Sequence, residues 1–182
     1  MTTQKNINAG GHVAGRDIVI HSPNKTSAIL KSLFEQYKAD VQTKTNTDQI
    51  VENLQAYLES ADDPSNPRDL GKKLTDAGKA ELIQEAKKFK ELFRRRVERF
   101  QHFPAAQEIY AFLLGQALTR FSIYVQPAIV SGKSVGEIKA LINKEVIDPI
   151  IESIPDSEPT CDHPAIYGMI FFLTGNCFVE WQ

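Results

Sequence analysis

Pro104-Ala105-Ala106-Gln107-Glu108-Ile109-Tyr110-Ala111-Phe112-Leu113-Leu114-Gly115-Gln116-Ala117-Leu118-Thr119-Arg120-Phe121-Ser122-Ile123-Tyr124-Val125-Gln126-Pro127 is the stretch whose reading decides the fold. Wound as a helix, it places apolar side chains on nearly every face, as an element at the centre of a bundle or in a membrane must. Gln107, Glu108, Gln116, Arg120 and Gln126 interrupt it. An arginine in mid-span costs about 2.5–3.5 kcal/mol even on the lenient insertion scale. The sequence therefore predicts a buried helix in a soluble bundle, and no membrane. Pro104 takes the favoured first-turn position, and the helix is expected to end near Pro127.

Working upstream, Leu82, Ala86, Phe89, Phe93, Val97 and Phe100 recur at spacings of 4, 3, 4, 4 and 3 and mark one apolar stripe on a helix from about Arg68 to Gln101. Gly71 and Gly78 weaken its first half, so a kink or two pieces are expected there. Asp62-Asp63-Pro64-Ser65-Asn66-Pro67 is a break, because two prolines and short polar side chains favour a turn. Before it, Ile29, Leu33, Tyr37 and Val41 form a stripe on a first helix, widened by Leu30 and Phe34. A second helix is expected from near Thr47 through Leu58.

Downstream, Ser134 can cap a helix over Val135–Ile147, with Glu137 placed for a capping box. Pro149 is expected to end or kink it. A Pro- and Asp-rich connector, Ile154–His163, leads to a short helix over Ala165–Leu173. The closing Cys177-Phe178-Val179-Glu180-Trp181 alternates like a strand.

The first residues are of another kind. Ala9-Gly10-Gly11-His12-Val13-Ala14-Gly15-Arg16-Asp17-Ile18-Val19-Ile20 places three glycines before a β-rich run. An isolated hairpin is marginal in water, so this segment needs a partner, in its own domain or in another copy. Val13, Arg16, Asp17, Ile18 and Ile20 are the expected contacts, with Arg16 and Asp17 setting register by charge-assisted bonds. The expected fold is mainly α: a helical bundle (26–182) with a β-forming N-terminal arm (1–25) and a short C-terminal strand.

Composition bounds the function. Over 182 residues, 42% are hydrophobic and 24% charged, with 21 Lys and Arg against 23 Asp and Glu. Such values exclude disordered, collagen-like and disulfide-rich classes, and the near-neutral balance argues against a general nucleic-acid binder. Two cysteines, Cys161 and Cys177, are too few for a disulfide framework, and Met1–Asn8 lacks the apolar core of a secretory signal. A reducing cytoplasm is the expected location.

No catalytic constellation emerges. Gly132-Lys133-Ser134 looks like a fragment of a phosphate loop, but Pro127 stands where the earlier glycine belongs. Cys161, His163 and Cys177 lack the paired spacing of a structural zinc site. The expectation is no enzyme, no metal and no cofactor. One charged face remains: Lys87, Lys88, Arg94, Arg95 and Arg99 lie away from the phenylalanine stripe and form a basic patch for nucleic acid. Glu85, Glu91 and Glu98 interleave and favour a solvated or protein-facing surface instead. After Lys144 no Lys or Arg follows, so the basic helix is complementary to the acidic end of its own chain or of a neighbour. Arg120 is expected to pair with a carboxylate such as Glu108 or Glu145.

Asn8–Ile18 resembles the Gly-x-Val-Ala-Gly-Arg-Asp-Ile motif found ahead of many bacterial conflict-system and anti-phage proteins. Ile109-Tyr110, Phe121, Pro127-Ala128-Ile129, Gly132-Lys133-Ser134 and Ile147-Asp148-Pro149-Ile150, with the closing Tyr167–Trp181, are similar to a C-terminal domain of ABC-three-component systems. The likeness covers most of the chain after about Lys72, and its most specific part is Leu173-Thr174-Gly175-Asn176-Cys177. In that family the cysteine is followed by His. Phe178 stands here, which disfavours a metal or catalytic use of the motif. The resemblance implies a helical interaction module that couples effectors to an ABC ATPase and a small middle component, here without an effector of its own. The expected protein is a homo-oligomer joined by its arm, with those proteins as partners.

Overall fold

The computed structural model describes residues 28–59, 69–155 and 161–181, and every regular element among them is helical. Helices α1 (Ala28–Thr43) and α2 (Glu52–Leu58) precede α3 (Leu70–Asp76) and α4 (Ile83–Phe100). α5 (Pro104–Arg120) runs through a π-helical turn (Phe121–Val125) into α6 (Gln126–Val130), and α7 (Val135–Leu141) through a second one (Ile142–Ile147) into α8 (Asp148–Ser153). α9 (His163–Gly175) and a tail to Trp181 close the fold. The mainly α expectation holds. The arm assigned to residues 1–25 and the Asp62–Pro67 break lie outside the described residues.

α5 is central, as its composition demands, but it shares that place with α9. Ile166, Met169, Ile170, Phe171 and Leu173 of α9 are wholly buried, as are Leu113, Leu114 and Ala117 of α5. α9 lies along α4, whose expected stripe faces it: Leu82, Ala86, Phe93 and Val97 are buried, with Phe89 and Phe100 at the edge. The two helices approach closely at Gly168, where a Cβ would fall 2.5 Å from the Phe89 carbonyl oxygen and 2.8 Å from Phe93 Cβ. Edge-to-face pairs flank this point, Phe89–Tyr167 at 5.0 Å and Phe93–Phe172 at 5.2 Å between centroids.

The helix expected over Arg68–Gln101 is two pieces, divided at Gly78 (φ +67°). Gly78 N–H bonds the Thr75 carbonyl and Lys79 N–H that of Leu74, a Schellman ending that needs a left-handed residue. Ser131-Gly132-Lys133 ends α6 in the same way, and Ser134 with Glu137 forms the expected capping box.

Four expectations are corrected. α1 turns Leu30 and Phe34 inward, leaving Ile29 61% and Val41 46% exposed, because the helix packs chiefly on α5 and needs only one narrow stripe. α2 begins at Glu52, not near Thr47. The buried Gln107 amide accepts Val51 N–H at 2.6 Å and donates to the Gln49 carbonyl at 3.0 Å, which holds that approach out of helix. Neither Pro127 nor Pro149 ends its helix. Each has no N–H for the carbonyl four residues back, and a π turn just before it shifts the pairing: Gln126 N–H reaches the Phe121 carbonyl and Asp148 N–H that of Asn143. The C-terminal strand is absent. Val179 and Trp181 are buried, but no strand among the described residues pairs with Cys177–Trp181.

Gly168→Ala is expected to destabilise by about 1–3 kcal/mol through overpacking of the α4–α9 seam. Gly136→Ala, in α7 with nothing within 4 Å of its Cβ, is expected to stabilise by about 0.4–1 kcal/mol. Urea unfolding of both variants beside the parent checks the pair.

Candidate functional site

The residues of the family-like motif meet at the C-terminal end of α9. Phe178 N–H bonds the Leu173 carbonyl at 2.9 Å and Cys177 N–H that of Thr174 at 3.2 Å, another Schellman ending. Its left-handed position, φ +68°, is filled by Cys177 where glycine would sit without strain. Thr174 is wholly buried: its hydroxyl donates to the Ile170 carbonyl at 2.8 Å and accepts Trp181 Nε1–H at 3.0 Å. Trp181 in turn stacks on Phe171, 6.2 Å between centroids and 9° between planes. Asn176 Nδ2 donates to the Tyr57 carbonyl at 2.9 Å, tying α2 to the same point.

Two lysines face this helix end, where unpaired carbonyls and the macrodipole favour a cation. Lys73 of α3, fully buried, donates to the Thr174 carbonyl at 3.1 Å and lies 3.2 Å from Glu180 Oε1. Lys90 of α4 runs beside Gly175, where a Cβ would come within 2.1 Å of its Nζ. Burial lowers the Lys90 pKa, while Cys177 and Asp69 act the other way. Sequence reading singled out Thr174-Gly175-Asn176 but placed neither lysine there, counting Lys90 only among the cations of the basic helix. A buried lysine leaves no pattern, whereas a Gly and an Asn after an apolar run are a recognised helix-stop signal.

The basic face of α4 is largely neutralised. Arg94 bonds Glu91 at 2.8 Å and also Glu98, and Arg95 bonds Glu91 at 2.7 Å. Hydrogen bonds from the two arginines hold the Glu91 carboxyl down at about 2. Arg99 lies over the Phe100 ring at 5.5 Å, and Lys87 and Lys88 are exposed. The contact with the acidic end of the chain is made by Arg96, which grips Asp162 at 2.8 and 3.2 Å. Asp162 also caps α9, accepting Ala165 N–H at 3.0 Å. Burial alone would raise the Asp162 pKa, but the Arg96 guanidinium and the cap bond outweigh it and lower it. Arg120 reaches the residue expected but not the group: its Nε donates to the Glu145 backbone carbonyl, for which Pro149 has no N–H, and its guanidinium lies over Tyr124 at 5.4 Å.

Val13, Arg16, Asp17, Ile18 and Ile20 lie outside the described residues. Gly132-Lys133-Ser134 is a helix joint, with Lys133 on Glu137 at 3.0 Å. Among the described residues no three His, Cys, Asp or Glu side chains converge, and no helix is long and apolar enough to cross a membrane. A groove of about 870 Å³ opens between α1 and α2, with α5 as its floor.

Fold and site together define a mainly helical domain whose most distinctive sequence closes the end of one buried helix. Residues 69–181 match the family model for C-terminal domain 9 of the ABC-three component (ABC-3C) systems, and the chain belongs to that family. Neither a curated protein nor a solved structure matches it.

Lys73→Ala is expected to cost about 3–5 kcal/mol in urea unfolding, because it breaks a buried pair. Glu180→Gln is expected to cost about as much, since it leaves the fully buried Lys73 ammonium without its opposite charge, whereas Lys73→Ala leaves a carboxylate that is one-third exposed. Asp162 binds its proton more weakly in the folded chain, so its contribution is full above the ordinary carboxylate range and is lost as pH falls through and below it. Asp162→Asn keeps the cap acceptor and removes the charge. Its deficit against the parent, under about 1 kcal/mol at neutral pH, is expected to shrink on acidification; a constant deficit from neutral to acid pH would contradict this account.

Proposed function

We propose that this chain is a non-enzymatic assembly module of a bacterial ABC-three-component conflict system, working in the cytoplasm. The match of residues 69–181 to C-terminal domain 9 of those systems carries the reading. The polar groups of Leu173–Cys177 support it, because Thr174 and Asn176 are spent on tying α9 to α2, α3 and the tail. The module joins copies of itself through Val13, Arg16, Asp17, Ile18 and Ile20, and couples to an ABC ATPase, a middle component or an effector protein. The apolar and charged residues of that arm suit a contact element that pairs with a partner.

Light scattering of the full-length protein and of a variant lacking Met1–Ser22 tests the self-association. The full-length protein is expected to be an oligomer and the shortened one a smaller species. Monomers in both cases would end that part of the proposal.

A nucleic-acid sensor built on Lys87, Lys88, Arg94, Arg95 and Arg99 is the second reading. The pairing of Arg94 and Arg95 with Glu91 and Glu98 weighs against it, since a phosphate footprint needs unspent cations.

A further inference from the structure

α1 carries more apolar surface than the core takes. Leu30 and Phe34 face inward, yet Ile29 and Leu33 line the open groove and Ile29 is 61% exposed. Tyr57, Phe112, Leu118 and Phe178 complete its apolar lining. Among the described residues its charged lining is two carboxylates, Glu52 and Glu108, with no cation. Asn53 Nδ2 holds Glu108 at 2.9 Å, on the groove wall.

We propose that this groove is the seat of the chain's own N-terminal segment, Val13–Ile20. Three observations argue for that occupant. The chain enters α1 at Ala28, next to Ile29 on the groove's rim, so the segment is tethered beside the seat and binds it intramolecularly. Eight residue steps lead from Ile20 to Ala28, an extended reach of about 27 Å, whereas the floor from Glu108 to Thr119 runs about 17 Å along α5. The chemistry also complements: Val13, Ile18, Val19 and Ile20 suit the apolar floor, and residues 1–27 carry Lys5, Arg16 and Lys25 against Asp17 alone. Arg16 is the residue placed to meet Glu52 or Glu108. The inference rests on the reading of the arm as a contact element and adds its regulation. The seat and other copies compete for the arm, so that seated chains and assembled ones coexist.

A full-length double variant, Ile18→Cys with Gln116→Cys on the groove floor, tests this by mild oxidation and non-reducing gels. Both single variants serve as backgrounds for Cys161 and Cys177, and an unchanged unfolding profile shows that the variant is folded. The expected product is a faster-running monomer joined within one chain. Adding Glu108→Lys is expected to reduce its yield about fivefold. A dimer-sized product, meaning the arm of a second copy, overturns the proposal, and so does absence of any product above background. Light scattering of the same samples separates the two readings. Oligomers without an intrachain product leave self-association standing and remove the seat; intrachain product from a strict monomer does the reverse.

Discussion

A lysine with no exposed surface has to bring its compensation into the core with it. Moving an ammonium group out of water costs several kcal/mol, offset only by close opposite charge and hydrogen bonds. Lys73 finds both in groups that lie far away in sequence, the Thr174 carbonyl at 3.1 Å and Glu180 at 3.2 Å. That requirement fixes where α3 sits against the end of α9 and where the tail must run. Trp181, one residue beyond Glu180, then has its indole bonded to Thr174 and stacked on Phe171. Lys73 and Glu180 lie near the two ends of the matched region, 69–181. The ion pair closes that unit on itself, and this is a physical reason for its boundaries.

The far side of the bundle depends on a different compensation. Pro127 and Pro149 each deprive a helix of one N–H, and each is preceded by a π turn that re-registers the hydrogen bonds. The two π turns pack against each other, and Arg120 donates to the Glu145 carbonyl between them. Two irregular helices thereby brace each other. Either alone would present a backbone defect to solvent or to the core.

Elements set by local chemistry were legible in the sequence. The Leu82–Phe100 stripe, the division at Gly78 and the Ser134–Glu137 box each need only neighbours within a few residues, and each is present. What escaped depends on distant partners. Six apolar residues in α1 could not reveal which would be covered, because the distant elements it packs on, chiefly α5, decide that. Pro127 read as a stop, and Pro149 as a stop or a kink, because a π turn has no sequence signature. Alternation in Cys177–Trp181 read as a strand, but a strand also needs a pairing neighbour. At the candidate site the motif was visible and its lysines were not, since Lys73 is buried by the fold around it and not by its own composition.

The nearly balanced charge of the chain can now be resolved into pairs. Arg96 holds Asp162 and Lys73 holds Glu180, so part of the complementarity between the basic middle and the acidic end is satisfied within the bundle. It therefore gives little reason to look there for a partner. A docking surface is better sought where complementarity is still unspent: a groove with two carboxylates and an exposed Ile29, beside a segment bearing Arg16 and the run Ile18–Ile20. The same charges that weaken the case for the α4 face strengthen the case for the α1–α2 groove, because charge already paired inside a fold has little left to offer outside it.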